Sequence, residues 1–252
     1  MALLEVKDLE KRFGGLKAIS GLSFSVEKGI IFSIIGPNGA GKTTLFNLLT
    51  NIYAPSSGAI FFKGKEITKL PPFKIARLGI SRTFQNLQVF LNMSVIENVM
   101  VGCHLRSKSG LLASALRLPS VIKEEKMVRQ MAYEALEFCG LPQYASRPAG
   151  GLPYGILKKL EVARSLASRP ELLLMDEPAA GLNDTETAEL CQLIKRICDS
   201  GVTVLLVEHN MSLVMEISQK VLVLNYGKLL AEGSPEEIQK NPEVIAAYLG
   251  EG

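Results

Sequence analysis

A glycine-rich segment constrains the fold of this chain more than any other feature of the sequence. GPNGAGKTT, residues 36–44, directly follows the continuously apolar GIIFSII of residues 29–35 and fits the pattern G-x-x-x-x-G-K-[ST]. A loop of this kind between a buried strand and a helix predicts backbone N–H groups that curl around a phosphate chain. The positive end of the helix dipole favours the same anion. A glycine-rich turn without a ligand is the alternative, and the agreement of pattern and context counts against it.

The loop combines backbone donors with two side chains that have roles of their own. Lys42 can reach the β- and γ-phosphates of a nucleotide, and the hydroxyl of Thr43 can ligate Mg²⁺. The predicted nucleotide-binding residues of the segment are Gly36, Pro37, Asn38, Gly39, Ala40, Gly41, Lys42, Thr43 and Thr44. We therefore expect a nucleotide to bind at the end of the first buried strand.

Further apolar runs predict an α/β fold, a P-loop NTPase core with a mostly parallel sheet. Strands that are buried on both faces lack the alternation of apolar and polar residues. The runs without alternation are residues 29–35, 171–175 and 202–207. Helical patterns lie between them, which is typical of helices that cover a parallel sheet. SGLSFSV, residues 20–26, does alternate and predicts a half-buried strand that pairs with residues 2–8 and 59–62 in a small antiparallel sheet.

Local signals predict the remaining elements. Residues 92–147 are expected to be mainly helical and are a candidate second lobe. KVLVLNYGKLLAEG, residues 220–233, predicts a hairpin that turns around Asn225–Lys228. In SPEE, Ser234 is the predicted N-cap of a helix, with proline at the first helical position and a glutamate that completes a capping box. Asn241 and the proline after it open a last short helix.

The segment LPYGILKKLEVARSLA, residues 152–167, predicts a turn and an amphipathic helix with an unusual start. Apolar residues recur at helical spacing, with charged residues between them. The apolar positions are Ile156, Leu160, Ala163 and Ala167, and the charged positions are Lys158, Lys159, Glu161 and Arg164. Gly151, Pro153 and Gly155 crowd the front of this helix. Their small or rigid side chains raise the question of what approaches the helix start so closely.

Composition and charge exclude several classes of function. The chain is 47% hydrophobic and 21% charged, with a formal net charge of +3. Lys and Arg are scattered rather than gathered in a stripe, so we expect no nucleic acid partner. No apolar run approaches the roughly 20 residues that span a bilayer, and the charged start MALLEVKDLEKRF is unlike a signal peptide. We therefore expect a cytoplasmic chain. The four cysteines show no C-x-x-C spacing, which argues against zinc.

Polar side chains follow two of the buried strands. In LLLMDEP, residues 172–178, Asp176 would hold Mg²⁺ at the carboxyl end of the strand, where ligands bind in open α/β sheets. Glu177 would orient or deprotonate the attacking water. A pair of solvated acids in a turn is the alternative, and its position downstream of a phosphate-binding loop counts against it. His209, just past the next buried strand, is predicted to contact the γ-phosphate, although a lone histidine is more often structural.

Taken in order, these motifs resemble those of the ATP-binding cassette ATPases. The series runs from the phosphate-binding loop through FQN, a glycine-rich helix start and MDEP to VEHN, and it covers essentially the whole chain. The resemblance implies ATP and Mg²⁺ as cofactors, with Phe13 stacked on the adenine, although an ordinary core aromatic is the alternative. It also implies that Gln85, which spacing alone does not single out, senses Mg²⁺ and the attacking water, and that His209 is the switch histidine. The implied Mg²⁺ ligands are Thr43, Gln85 and Asp176.

The segment LPYGI at the front of the amphipathic helix occupies the place of the family signature, usually written L-S-G-G-Q. The resemblance implies that Pro153, Tyr154 and Gly155 cover the γ-phosphate of ATP on the loop of a second subunit. A phosphate close to the backbone would account for the glycine at the helix start. Pro153 replaces the signature serine and so removes a hydroxyl, and Ile156 and Leu157 stand where polar residues are usual.

Finer details are similar to the subset of this family that energises the uptake of branched-chain amino acids. They are residues 82–102, the inserted residues 105–125 and the ending at residues 244–250. The resemblance implies the ATPase subunit of an importer, which works as a head-to-tail dimer with an identical or sister subunit. It further implies transmembrane permease partners that hold the chain peripherally on the inner face of the cell membrane. Such a subunit does not itself contact the transported solute.

Other classes of P-loop and cassette protein account less well for the sequence. Soluble cassette proteins that act on nucleic acid or ribosomes usually carry two cassettes or a long coiled coil, for which we expect no room in 252 residues. A P-loop kinase or GTPase does not account for LPYG, Gln85 and His209 in this order. A transporter subunit for another solute, such as urea or lipopolysaccharide, stays open as an alternative.

We expect the whole 252-residue chain to form one domain. Residues from about 1–91 and 164–252 would form the nucleotide-binding core with its antiparallel part, and about 92–163 the helical subdomain. The surface of residues 86–104 is expected to receive a short helix from a permease, with the apolar insert of residues 110–119 nearby. Ordinary packing under a long loop is the alternative for the insert.

Overall fold

Two β-sheets form the framework of the protein. The structure is a computed structural model, and it describes residues 2–104 and 119–249. Within those ranges the strands are β1 (Ala2–Phe13), β2 (Leu16–Glu27), β3 (Ile31–Ile35), β4 (Ser57–Phe62), β5 (Lys65–Glu66), β6 (Ile80–Arg82), β7 (Leu172–Asp176), β8 (Thr203–Val207), β9 (Lys220–Asn225) and β10 (Lys228–Gly233). The α-helices are α1 (Lys42–Leu49), α2 (Pro72–Arg77), α3 (Val95–Gly102), α4 (Pro119–Phe138), α5 (Tyr154–Ala167), α6 (Asp184–Asp199), α7 (Met211–Ile217), α8 (Pro235–Lys240) and α9 (Pro242–Leu249). Short 3₁₀ turns lie at Pro142–Tyr144 and Ala149–Gly151.

The central sheet has six strands in the order β10-β9-β3-β8-β7-β6, parallel except for the edge strand β10. Every residue of β3, β7 and β8 is buried, as the continuous apolar runs predict. The predicted α/β class with a mostly parallel sheet is confirmed. Val207 of β8 lies opposite Ile34 of β3 and Asp176 of β7, so the carboxyl ends of the three strands lie side by side.

The predicted antiparallel sheet is also present, with four strands in the order β2-β1-β4-β5. Its second strand is longer than the alternating residues 20–26 indicate, because β2 continues to pair through polar positions such as Lys17 opposite Arg12. Backbone pairing needs no apolar side chain, so an exposed strand end gives no hydrophobic signal. Leu9, Leu22 and Phe46 belong to the apolar cluster that joins this sheet to α1 and one face of the central sheet.

The helical part of the chain packs on the opposite face of the central sheet. Val99 of α3, Leu136 of α4 and Leu160 of α5 belong to one apolar cluster with residues of β7 and β8. The described portion of residues 92–147 is mainly helical, as the sequence predicts. The expected division into core and helical subdomain stays a prediction. No helix in the described part of the chain is both long and apolar enough to cross a membrane.

Local signals mark the ends of the C-terminal elements as predicted. Ser234 caps α8, and its capping box with Glu237 is complete. Asn225 pairs with Lys228 across the β9–β10 hairpin, whose two turn residues, Tyr226 and Gly227, both have positive φ. The helix α9 begins directly after Asn241.

Candidate functional site

The glycine-rich loop joins β3 to α1, and two of its glycines are required by the chain's own backbone. A Cβ on Gly36 would lie 2.0 Å from the carbonyl oxygen of Leu224, and one on Gly41 would lie 2.7 Å from that of Ala18. A Cβ on Gly39 would meet nothing within 4 Å. Gly36 and Gly41 therefore allow the loop to pack closely against β9 and β2, whereas Gly39 borders open space.

Lys42 places a positive charge inside the loop. The residue is only 6% exposed, and its Nζ donates to the carbonyl oxygens of Gly36, at 2.5 Å, and Pro37, at 2.8 Å. An ammonium group that is held by carbonyl oxygens at the start of a helix is well placed to pair with an anion there. The geometry agrees with the predicted role of Lys42 toward phosphates.

A cavity of about 630 Å³ opens beside this loop and brings together residues from distant parts of the chain. Most of the predicted nucleotide-binding and catalytic residues line it: Phe13, Asn38, Gly39, Ala40, Gly41, Lys42, Thr43, Thr44, Gln85, Glu177 and His209. Leu16, Lys17, Ala18 and Tyr226 also line it, and the sequence alone did not single them out. The size suits a small ligand, since ligand pockets typically measure about 300–1,000 Å³.

Glu177 joins the two other predicted catalytic residues. Its Oε2 accepts a hydrogen bond from Nε2 of Gln85 at 2.8 Å, and its Oε1 lies 2.6 Å from Nε2 of His209. Glu177 has a φ of +47°, a left-handed conformation that is costly for a residue with a side chain. Its backbone N–H donates to the carbonyl of Val207 at 2.9 Å, which anchors it to the end of β8. Such strain at a convergence of polar side chains is typical of functional sites.

Glu208, which the sequence analysis missed, holds the segments that carry Glu177 and His209. It is 4% exposed. Its Oε1 accepts from the backbone N–H of Ala179 at 2.8 Å, and its Oε2 accepts from that of His209 at 3.0 Å. The carboxylate therefore links the loop after β7 to the loop after β8. The acidic residue beside the histidine in VEHN was a signal that could have revealed it.

Asp176 ends β7 as a carboxylate with only 2% exposure. Its Oδ2 accepts from Nη2 of Arg82 at 2.7 Å, while its Oδ1 is buried without a hydrogen-bond partner among the described residues. An unpaired buried carboxylate oxygen is costly, and a cation would satisfy it. Mg²⁺ typically binds to proteins through one or two carboxylates and the phosphates of a substrate. Oδ1 of Asp176 is therefore an oxygen donor that fits Mg²⁺. Thr43 and Gln85 line the nucleotide cavity and Asp176 does not, and joint binding of Mg²⁺ by the three residues stays a prediction.

Phe13 lies at the end of β1 with 42% of its surface exposed, so it is not an ordinary core aromatic. The rings of Phe13 and Tyr53 are nearly perpendicular, at 78°, with their centroids 5.3 Å apart, and Nζ of Lys11 lies 5.0 Å from the Phe13 centroid. An exposed ring that borders the cavity is available for stacking on a flat apolar ligand. Stacking of Phe13 on adenine stays a prediction.

The group that closely approaches the start of α5 in this structure belongs to the same chain. A Cβ on the buried Gly155 would lie 2.4 Å from Oε1 of Glu186, a residue of the capping box of α6. Pro153, the N-cap of α5, and Tyr154 are exposed. None of the three residues lines the nucleotide cavity of its own chain. Their predicted contact with a phosphate on a second subunit stays a prediction.

Two charged residues of α5 tie it to the segment of Gln85. Lys158 and Glu161 are 3% and 2% exposed, so the amphipathic pattern misplaced them. Nζ of Lys158 donates to the carbonyl of Gln85 at 3.3 Å, and Oε1 of Glu161 accepts from the backbone N–H of Phe84 at 3.2 Å. Burial raises the pKa of the Glu161 carboxyl, although the hydrogen bond from Phe84 and the charge of Lys158 oppose the shift.

Comparison with known proteins agrees with this geometry. The family described as "ABC transporter" matches residues 19–180, and the one described as "Branched-chain amino acid ATP-binding cassette transporter" matches residues 228–252. The chain is 48% identical over 250 residues to the high-affinity branched-chain amino acid transport ATP-binding protein BraF of Pseudomonas aeruginosa, covering 99% of this chain and 98% of BraF. It is 46% identical over 250 residues to the corresponding protein LivG of Escherichia coli strain K12, with the same coverage.

Solved structures of ATP-binding cassettes are also similar to this chain. A nucleotide-free ATP-binding cassette from an ABC transporter superposes with a TM-score of 0.87 at 33% identity, and each chain is covered completely. An ADP conformation of an ATP-binding cassette has the same TM-score, identity and coverage. The similarity therefore extends through the whole fold as well as through the sequence.

Proposed function

The chain belongs to the ABC transporter family of ATPases, and on that premise we propose that it is the ATP-hydrolysing subunit of an importer of branched-chain amino acids. One structural observation carries the assignment of hydrolysis to particular residues. The carboxylate of Glu177 joins Gln85 and His209 at the mouth of the phosphate-binding loop. The identity to branched-chain transport proteins along nearly the whole chain supports the class of solute.

Each of the predicted site residues would have a separate role in hydrolysis. Backbone N–H groups of the loop and the ammonium of Lys42 would bind the phosphates. Glu177 would accept the proton of the attacking water, and Gln85 and His209 hold its two oxygens in place. Mg²⁺, held by Thr43, Gln85 and Asp176, would neutralise charge on the phosphates. Phe13 would stack on the adenine.

We propose that two such subunits, identical or sister chains, close head to tail over two ATP molecules. The exposed Pro153 and Tyr154 at the positive end of α5 support this arrangement, because an N-terminal helix end is a favourable position for an anion. The helix is tied to the Gln85 segment through Lys158 and Glu161. A phosphate held by one chain could therefore influence the water-binding residues of the other.

A groove of about 750 Å³ supports a permease as the membrane partner. It lies beside β6 and α3, and its apolar lining includes Phe84, Leu87, Val89, Phe90 and Val101. Phe84, Phe90 and Val101 are 39%, 45% and 42% exposed. We propose that this groove, which includes part of the expected surface of residues 86–104, receives a short permease helix. Nearly all of the predicted neighbouring insert, residues 110–119, lies outside the described residues.

Charge in the groove is expected to uncouple transport from hydrolysis. Val89→Glu and Phe90→Glu should leave the ATPase rate of the isolated subunit unchanged, since neither residue lines the nucleotide cavity among the described residues. In the assembled transporter, solute uptake should fall by at least about tenfold, because the removal of a carboxylate from water in an apolar contact costs several kcal/mol. Ile122→Glu on α4, at an exposed apolar residue outside the groove, is the matched control. Equal loss of hydrolysis and uptake would instead indicate misfolding.

The solute is tested by reconstitution. The chain is purified with the membrane proteins that accompany it, and the complex is placed in vesicles with radiolabelled leucine, isoleucine or valine. We expect ATP-dependent uptake that unlabelled leucine competes with and urea does not. Permeases that carry another solute under the same conditions would contradict the assignment of branched-chain amino acids and leave the ATPase assignment intact.

A further inference from the structure

We propose that Arg82 is a positioning residue of the magnesium site. Its side chain sets the spacing between α1, which carries Thr43, and β7, which carries Asp176. The inference rests on the proposed role of Asp176 as a Mg²⁺ ligand. Arg82 ends β6 and has a side chain that is 7% exposed, against 2% for the side chain of Asp176. Arg82 opens the segment of residues 82–102 that carries part of the family resemblance, but the sequence assigned no role to it.

The guanidinium of Arg82 is held from several sides. Its Nη2 donates to Oδ2 of Asp176 at 2.7 Å, and its Nη1 donates to Oδ1 of Asn47 at 2.7 Å. The rings of Phe46 and Phe84 have their centroids 5.4 and 5.0 Å from its central carbon. Nη1 also donates to Oγ1 of Thr50 at 3.4 Å. An arginine that is held by two rings and three polar partners has little freedom, so it fixes the positions of these partners.

The contact with Asn47 extends this constraint to the phosphate-binding loop. Asn47 follows Thr43 by four residues on α1, so the two side chains lie on the same face of the helix. Arg82 therefore links the helix face that carries the Thr43 hydroxyl to the carboxylate at the end of β7. Since Oδ2 of Asp176 is engaged, Oδ1 is the oxygen left for a cation.

Stability alone does not account for this arrangement. A buried ion pair is a poor source of stability, because the cost of removing both charges from water offsets their attraction. The Nε of Arg82 is buried without a hydrogen-bond partner among the described residues, which adds to that cost. Outer partners of metal ligands are retained because they orient the ligand, and their removal typically weakens metal binding by about 10–100-fold.

The test separates metal binding from nucleotide binding. Equilibrium binding of ADP to the full chain is measured by calorimetry in EDTA and over a series of Mg²⁺ concentrations. Mg²⁺ is expected to strengthen ADP binding, and the Mg²⁺ concentration that gives half of this effect is the Mg²⁺ midpoint. In Arg82→Met, the Mg²⁺ midpoint should rise by about 10–100-fold. Affinity in EDTA should be unchanged, because Arg82 does not line the described nucleotide cavity. Arg82→Lys, which retains the charge but not the two-armed geometry, should shift the Mg²⁺ midpoint less.

Two further variants distinguish a loss of positioning from a loss of folding. Asn47→Ala removes the shorter hydrogen bond between Arg82 and α1 and leaves the one to Thr50, at 3.4 Å. It leaves no buried charge unpaired, and it should also raise the Mg²⁺ midpoint, by less than Arg82→Met. Arg196→Met is the control, because this arginine of α6 lies over a different ring, that of Phe138 on α4, at 5.0 Å, and neither helix carries a proposed Mg²⁺ ligand. Its Mg²⁺ midpoint should equal that of the parent.

The outcomes distinguish the inference from the proposed site. Unchanged Mg²⁺ midpoints in both Arg82→Lys and Asn47→Ala would overturn the positioning role. Parallel loss of affinity in EDTA and in Mg²⁺ would mean that Arg82 only supports the fold. Asp176→Asn should abolish most of the Mg²⁺ enhancement, and if it does not, the proposed metal site itself is wrong.

Discussion

Glu177→Gln is expected to bind ATP as the parent does and to hydrolyse it about 10²–10⁴-fold more slowly, the usual contribution of a general base. The amide keeps the size of the side chain and can still accept the hydrogen bond from Gln85, but it cannot take a proton from water. The backbone anchor of Glu177 to Val207 does not involve the side chain, so the strained φ is maintained. Hydrolysis is followed by phosphate release and binding by calorimetry.

A neighbouring carboxylate provides the control for this prediction. Glu171 directly precedes β7 and pairs with the exposed Lys63 at the end of the strand opposite the site. Glu171→Gln removes one negative charge from the same segment, and its turnover should match the parent. Turnover of Glu177→Gln close to that of Glu171→Gln would mean that another group activates the water.

Pro153→Asp is expected to abolish ATP-driven dimerisation while Pro153→Asn preserves it. Pro153 is the exposed N-cap of α5, and both Asp and Asn are favoured caps, so the fold of the single chain should tolerate either. Only Asp adds a negative charge where a partner's phosphate is proposed to lie. At about 4 Å and an effective dielectric constant near 20, that repulsion costs on the order of 4 kcal/mol, or nearly three decades in association constant.

The measurement uses both variants in the Glu177→Gln background, so that hydrolysis does not disturb the equilibrium. Dimerisation is followed by sedimentation with saturating ATP, and nucleotide affinity is measured on dilute monomer. A dimer that still forms with Pro153→Asp would show that the front of α5 does not face phosphate. Weakened ATP binding by the monomer would instead indicate that this segment acts within its own chain.

Pro153 is a sharper test position than Gly155, although the signature resemblance points equally to both. A side chain at Gly155 would collide with Glu186, whose carboxylate accepts from the backbone N–H of Asn183 in the capping box of α6. Gly155→Asp would therefore disturb the contact between α5 and α6 whether or not a partner is present. Loss of dimerisation in that variant would have two explanations, whereas the pair of Pro153 variants has one.

Features that depend on neighbouring residues could be predicted from the amino-acid sequence. Three strands of the parallel sheet follow from nearly continuous apolar runs, because a strand that is covered on both faces buries every position and is mostly apolar. The loop between β3 and α1 follows from its glycines, and the start of α8 follows from the cap at Ser234. The order of the motifs was enough to indicate the family.

Only the tertiary structure decided which polar residues meet in the interior. Arg82 and Asp176 are 94 positions apart, and Glu161 lies 77 positions from Phe84. A periodic pattern indicates whether a helix face is apolar. It does not indicate whether a backbone group that is distant in sequence forms a hydrogen bond with a charged side chain on that face. For this reason Glu161 was assigned among the polar positions of an amphipathic helix, and Arg82 was given no role. Burial makes such pairing obligatory, and the fold alone determines the partner.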